Sequence, residues 1–427
     1  MRYSLPTLSL ATTCLSQLLP PDAPGPAPKY PIGVSKAPFA KVSGRMFEID
    51  GKVQYFAGTN AWWLAHLSNN SDIDIALKQM IDTVYVRNPQ TQYKVVRVWG
   101  FGDVNQPPPA NATDPNRVYF HLLNSTGTYI NYGPAGLDRL DYAVSAAEAL
   151  LPDPASSSTA DTNKTTGLGL RLVLPLVNYW DDYGGIKAYN KAGLAADAAA
   201  WYTDAAAQRA YRAYVRAVVS RYRSSPAVFA WELANEARCE GGACGASTDI
   251  IAGWVAATAA YIKALDPAHM VTTGEEGFFE RADGLGGGQS IYGGVAGTSF
   301  RRNVRDANID YGTFHLYPSW WGYPYTWGAQ WIREHDAIGD EVGKPIVLEE
   351  YGTPFPHNHT ATLKPWLDAI EANSTLAADQ LWQFSPRDTS VPPTSFADEF
   401  AVSILDDEYE VLCRQHAANM LNKKLKT

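Results

Sequence analysis

Short apolar runs alternate with helical stripes along most of this chain. The runs fall at Val53–Ala57, Lys94–Trp99, Leu170–Val177, Val228–Leu233, Met270–Thr273, Tyr311–His315, Ile346–Glu349 and Gln380–Phe384. Each is rich in β-branched or aromatic residues, and near-continuous apolar character fits strands buried on both faces. Between the runs the spacing is helical. Tyr211, Tyr214, Val215, Val218, Val219 and Tyr222 form one stripe, with Asp204 as N-cap and Pro226 just past the end. Ile251, Trp254, Val255, Thr258, Ile262 and Leu265 form another, closed by Asp266-Pro267. This alternation predicts an α/β fold, a single-domain (β/α)8 TIM barrel over residues 41–427. The alternative is an open doubly wound sheet, which the lack of Gly-x-Gly-x-x-Gly after the first strand disfavours. Two turn-rich stretches, Ala110–Tyr132 and Leu151–Gly167, are expected as inserted surface loops.

Residues 1–40 break the pattern. Arg2, a moderately apolar stretch from Tyr3 to Leu19, then Pro20-Pro21 and a Pro/Ala/Gly run read as a secretory signal followed by a Pro-rich tail. Sequons at Asn69, Asn111, Asn124, Asn163, Asn358 and Asn373 agree with a secreted, extracellular glycoprotein. Cys239 and Cys244 are close enough in sequence to bridge a small loop. That leaves Cys413 as a buried free thiol once Cys14 departs with the signal. No apolar stretch is long enough to span a membrane.

Composition narrows the partners. With 35 basic and 44 acidic residues the net charge is −9, so nucleic acid is not expected as a partner. Aromatics reach 12%, with 13 Trp and 24 Tyr, more than a core alone requires. Such a surplus suits a surface that grips sugar rings. No Cys or His pattern matches a metal site, and neither a metal nor an organic cofactor is expected. A monomer without membrane partners is expected.

Barrel active sites collect where strands end. The strand-end residues here include Trp62 and Trp63, Arg97 and Trp99, Trp180 with Asp181-Asp182, Asn235-Glu236, and Glu275-Glu276. Later strands add His315 and Tyr317, Glu349-Glu350, and Trp382. Paired carboxylates in an aromatic cleft suit glycoside hydrolysis, which needs one protonated and one ionised acid. Glu236 and Glu350 lie 114 residues apart, the spacing of strands four and seven of a barrel.

Asn235-Glu236 after Trp-Glu-Leu-Ala, Glu350-Tyr351-Gly352 after Pro345-Ile346-Val347-Leu348, and Arg97 closing strand two resemble glycoside hydrolase family 5. Phe56–Asn60, Arg97–Phe101, Tyr179–Gly185 and Asn235–Cys239 resemble its fungal-type endo-β-1,4-mannanases, over about Lys41 to Phe384. The resemblance implies a retaining barrel enzyme with Glu236 as acid/base and Glu350 as nucleophile. It implies that Asn235 bonds the sugar 2-hydroxyl, Arg97 holds Glu350 ionised, Tyr317 donates to Glu350, and His315 lines the site. Trp382 would be the platform under the cleaved sugar, with Trp99, Trp180 and Arg238 as further substrate contacts. Ala237 stands where the family usually has Pro, and Asn178 where many members have His.

Other readings stay open at this stage. Glu349, pointing away from Glu350 by strand alternation, is the alternative nucleophile. Glu232 is expected inside its strand or paired with Arg171. Glu275 and Glu276 are expected to support the site, and Asp181-Asp182 to begin a helix or loop. Glu236 is expected to carry the proton and Glu350 to be ionised. The implied substrate is mannan, glucomannan or galactomannan, cut at internal bonds. A β-1,4-glucanase or an exo-β-mannosidase of the same fold is the alternative. A non-catalytic carbohydrate-binding protein is the alternative of another class.

Overall fold

The computed structural model describes residues 18–20, 23–81, 92–154, 169–240, 244–245, 247–286 and 290–425. The reading of residues 1–17 as a signal, and most of the Leu151–Gly167 loop, lie outside them.

Eight parallel strands form the central sheet. They are β1 (Phe56–Asn60), β2 (Val95–Arg97), β3 (Arg171–Pro175), β4 (Val228–Glu232), β5 (Met270–Thr272), β6 (Gly312–Leu316), β7 (Ile346–Tyr351) and β8 (Ala378–Leu381). Their order is β5-β4-β3-β2-β1-β8-β7-β6, and all the strands are buried along their length. The seam between β5 and β6 is bridged by Asp310 N–H to Val271 O at 2.9 Å and Thr272 Oγ1 to Tyr311 O at 2.9 Å. Outside run α1 (Asn70–Met80), α2 (Leu137–Ala149), α3 (Ala205–Tyr222), α4 (Asp249–Leu265), α5 (Phe300–Val304), α6 (Gly328–Val342), α7 (His359–Asn373) and α8 (His416–Asn422). The expected (β/α)8 barrel is what the chain forms.

Local chemistry explains the elements. The α3 stripe from Tyr211 to Tyr222 is buried against the sheet, and Asp204 caps it by accepting from Ala206 N at 2.7 Å. In α4, Ile251, Trp254, Val255, Thr258 and Ile262 are buried as the period requires.

Three expectations need correction. Val53 belongs to a three-stranded antiparallel sheet (Lys41–Ser43, Met46–Ile49, Lys52–Gln54), so β1 begins only at Phe56. That sheet plugs the lower end of the barrel. Phe47 is fully buried, with ring centroids 5.7, 5.1 and 5.2 Å from Phe56, Phe229 and Tyr311. Ala110–Tyr132 is not a plain surface loop. It holds paired strands His121–Asn124 and Gly127–Asn131 and buries Phe120, Leu123 and Ile130, because apolar residues flank a tight turn at Asn124–Gly127. The Pro-rich stretch is not a loose tail either. Glu148 of α2 accepts from the backbone N–H groups of Gly33, Val34 and Ser35 at 2.6–2.9 Å, and Arg221 of α3 donates to Pro26 O at 2.6 Å.

Candidate active site

Arg97, at the end of β2, organises the upper end of the barrel. It is fully buried. Its Nε and Nη2 donate to Glu232 at 2.8 and 2.6 Å, its Nη2 also to Asn235 Oδ1 at 2.7 Å, and its Nη1 to Glu350 Oε1. Glu349 Oε2 lies 3.6 Å from Nε. One guanidinium therefore serves three carboxylates. Glu232 is buried inside β4, the first of its two expected readings, and pairs with Arg97, whereas Arg171 pairs with Asp50 at 2.6 Å rather than with Glu232. Glu349 also does not turn away from the site. The pairing of β7 with both neighbours shifts register around Glu349, and this bulge brings both acids within reach of Arg97 and His315.

Glu236 sits just beyond β4 with φ of 50°, in the left-handed region that non-glycine residues avoid. Its N–H is held by Gly274 O at 2.7 Å, and the N–H of Asn235 by Val177 O at 2.8 Å. The strained turn thus aims the side chain inward. Glu236 Oε1 lies 2.6 Å from His315 Nδ1, and Glu236 Oε2 accepts from the indole N–H of Trp180. Glu350 Oε2 accepts from Tyr317 OH at 2.9 Å and lies 3.6 Å from His315 Nδ1. One oxygen of each acid and a ring nitrogen of His315 all fall within 4.8 Å of one another.

Around this centre, Asn235 Nδ2 donates to Asn178 Oδ1 at 2.9 Å, which fixes its amide. Arg238 lies between the rings of Trp180 and Phe278, at 4.9 and 5.1 Å, and is clamped by Glu276 at 2.5 and 2.6 Å. The Cys239–Cys244 disulfide is formed, with Cα atoms 5.8 Å apart, directly after Arg238. Just beyond β5, Glu275 accepts from Thr298 Oγ1 at 2.8 Å and Asn303 Nδ2 at 3.0 Å. Trp382 is half-buried, its N–H donating to Asp398 at 3.1 Å. Trp99 is buried against Trp62 and Phe101, ring centroids 4.8 and 4.9 Å away, without a described bond to either acid. Asp181 pairs with exposed Lys187 ahead of a short helix.

The charges differ from the simple expectation. Burial pushes Glu236 up, but His315, Arg238 and Trp180 together bring it below the ordinary carboxylate value. Burial raises Glu350, and His315 and Arg97 only partly offset this. Arg97 lowers Glu350 without overcoming that burial, and its charge is divided among three acids. Burial would lower His315, yet Glu350, Glu236 and Glu349 raise it well above its usual value. Of the two groups in direct contact, these shifts favour a proton on His315 over Glu236.

Asn60 closes the Phe56–Asn60 motif but was assigned no role in the site from the sequence. Its amide accepts from Arg97 at 3.3 Å and donates to Glu349 O at 2.9 Å, tying β1 to β7. Its place at the end of a barrel strand was the available signal.

Residues 172–364 match the family described as GH family 5 beta-mannosidase-like. A probable mannan endo-1,4-beta-mannosidase F of Neosartorya fischeri is 43% identical, over 83% of this chain and 69% of that protein. The chain belongs to glycoside hydrolase family 5. Another relative, mannan endo-1,4-beta-mannosidase A of Podospora anserina, is 42% identical over 82% of this chain and 84% of that one. The solved endo-1,4-beta-mannanase of Rhizomucor miehei is similar with a TM-score of 0.73 and 29% identity, covering 90% of this chain and 99% of that one. This family 5 protein is thus a glycoside hydrolase. Among its described residues no helix is long and apolar enough to cross a membrane.

Proposed function

We propose that this enzyme is a secreted, retaining endo-β-1,4-mannanase, with Glu350 as nucleophile and Glu236 as acid/base. The observation that carries this reading is an oxygen of each acid within 4.8 Å of the other. That closeness of one oxygen from each acid supports direct attack, for which carboxyl groups stand about 5–5.5 Å apart, over inversion, which needs about 6.5–9.5 Å. The polysaccharide follows from the named relatives. Export is supported by the signal-like leader and by sequons at exposed Asn69 and Asn358.

The steps follow from the partners. His315 passes its proton to Glu236 along their 2.6 Å contact as the entering sugar displaces water from the acid. Glu350, oriented by Arg97 and Tyr317, attacks the anomeric carbon while Glu236 protonates the departing oxygen. Glu236 then takes a proton from water, which hydrolyses the glycosyl ester on Glu350. Asn235, fixed by Asn178 and Arg97, meets the 2-hydroxyl. Trp382 underlies the cleaved sugar, and Trp180 with Arg238 meets the leaving side.

A panel of mannan, carboxymethyl cellulose and xylan tests the substrate, with turnover expected on mannan. Proton NMR of the first products should show the β anomer. Initial α product would overturn retention, and no turnover on mannan would overturn the substrate.

A further inference from the structure

Two large aromatic residues stand exposed beside the catalytic acids, on opposite sides. Trp180, 39% exposed, follows β3 and is bonded to Glu236. Trp320 is 64% exposed, the most exposed Trp among the described residues, and follows β6. One face of Trp320 stacks on Tyr317, ring centroids 4.6 Å apart at 27°, and Tyr317 in turn donates to Glu350. Its edge meets Phe400 at 5.5 Å, and Phe400 also meets Tyr317 at 5.7 Å. Phe400 lies on the same segment as Asp398, the partner of Trp382. The outer indole face is left to solvent. Singly exposed apolar residues need no explanation, but this one is fixed by two aromatic rings and joined through Tyr317 to the nucleophile.

We propose that Trp320, braced by Tyr317 and Phe400, is a further sugar-binding platform on the nucleophile side of the cleft, stacking on a ring of the bound β-linked chain away from the bond being cut. The inference rests on the hydrolase reading above and deepens it. The occupant is the same polysaccharide, because the platform is continuous with the site through Tyr317. An indole face already fixed by stacking presents flat apolar area to sugar C–H groups with little ordering left to lose. Such a platform selects for chain length and contributes to binding more than to the chemical step.

The test compares kcat/KM on mannohexaose with that on an aryl β-mannobioside, for the parent, Trp320→Ala and Trp320→Phe. In Trp320→Ala the long-to-short ratio should fall about tenfold, the worth of one lost stacking face. The loss should lie in KM rather than kcat, and Trp320→Phe should recover most of it. An unchanged ratio overturns the proposal. Equal losses on both substrates with a shifted pH profile of kcat also overturn it, since Trp320 would then act only by positioning Tyr317. If the parent fails on mannans but cleaves β-glucan, the mannanase reading falls, and the same comparison with cello-oligosaccharides decides the platform.

Discussion

The two ends of this barrel are built on opposite principles. At the lower end Phe47 meets Phe56, Phe229 and Tyr311, and Val95, Val173, Met270 and Val347 complete an apolar plug. At the upper end Arg97, Glu232, His315 and Glu349 are equally buried but ionisable. Burial of apolar area stabilises by about 25 cal/mol per Å², whereas buried ion clusters seldom repay their desolvation. The lower end holds the fold together, and the upper end uses part of that stability to keep charges in place for chemistry.

The sharpest separation of the two ends comes from Glu350→Gln. An amide cannot form the glycosyl ester, so turnover should fall roughly 10⁴-fold or more, with thermal stability kept or raised. Activity within about tenfold of the parent would remove Glu350 from its role and bring Glu349 forward. Next in size, Glu236→Ala should slow mannan hydrolysis by about 10²–10⁴-fold. It should spare the first step with an activated aryl mannoside, whose phenolate leaves unaided. Stopped-flow measurement of aryl release separates the two steps, and equal loss on both substrates would reject the acid/base role.

The third prediction opposes the two ends directly. Phe47→Ala should lower stability by about 3–5 kcal/mol through the cavity it leaves, with kcat of the folded enzyme preserved. Arg97→Met should lower stability by a comparable 3–5 kcal/mol, because carboxylates lose their buried partner, and it should abolish activity as well. Denaturant unfolding paired with kcat on mannan reads both. A Phe47→Ala enzyme that is stable but slow would break the comparison.

The smallest effect is in pH. Glu275 is pushed by burial from an ordinary 4.5 to about 7, against Thr298 and Asn303. Between those values the folded chain keeps a proton that the unfolded chain has released, so stability falls as pH rises through this window. Burial would lower His416, but Asp379 and Glu371 raise it from 6.5 to about 9. Its contribution is full below about 6.5 and is lost as pH rises through 9. From pH 6.5, where His66 and His335 no longer oppose the trend, thermal midpoints should therefore decline towards pH 8. Glu275→Gln should flatten the lower part of the decline and His416→Gln the upper part. A flat parent profile would reject both assignments.

Barrel strands β2 to β7 were legible because continuous apolar runs suit strands packed between the barrel interior and an outer ring of helices. β1 was not, since Val53 continues the same apolar character into the lower plug across a single polar residue. The acids, Arg97, His315 and Tyr317 could be read from their places at strand ends. Their protonation could not, because it depends on Arg97 being shared among three carboxylates from two strands. Nor could the direction of Glu349, since alternation fails at a bulge that one strand's sequence does not announce. The strap over α2 was hidden because backbone N–H groups, not side chains, make its bonds to Glu148.

That strap limits how the chain can be trimmed. Glu148 is 3% exposed and gathers three backbone N–H groups together with the Ser225 hydroxyl at 2.5 Å. A protease that cut after Ser35 would remove the segment donating all three, leaving a carboxylate inside the fold with only the hydroxyl to answer it. Maturation, affinity tags and fusion partners are therefore best confined to the residues before Leu18, which already pairs with Asn131 ahead of the Arg221 contact to Pro26. Beyond that point the leader has become part of the enzyme.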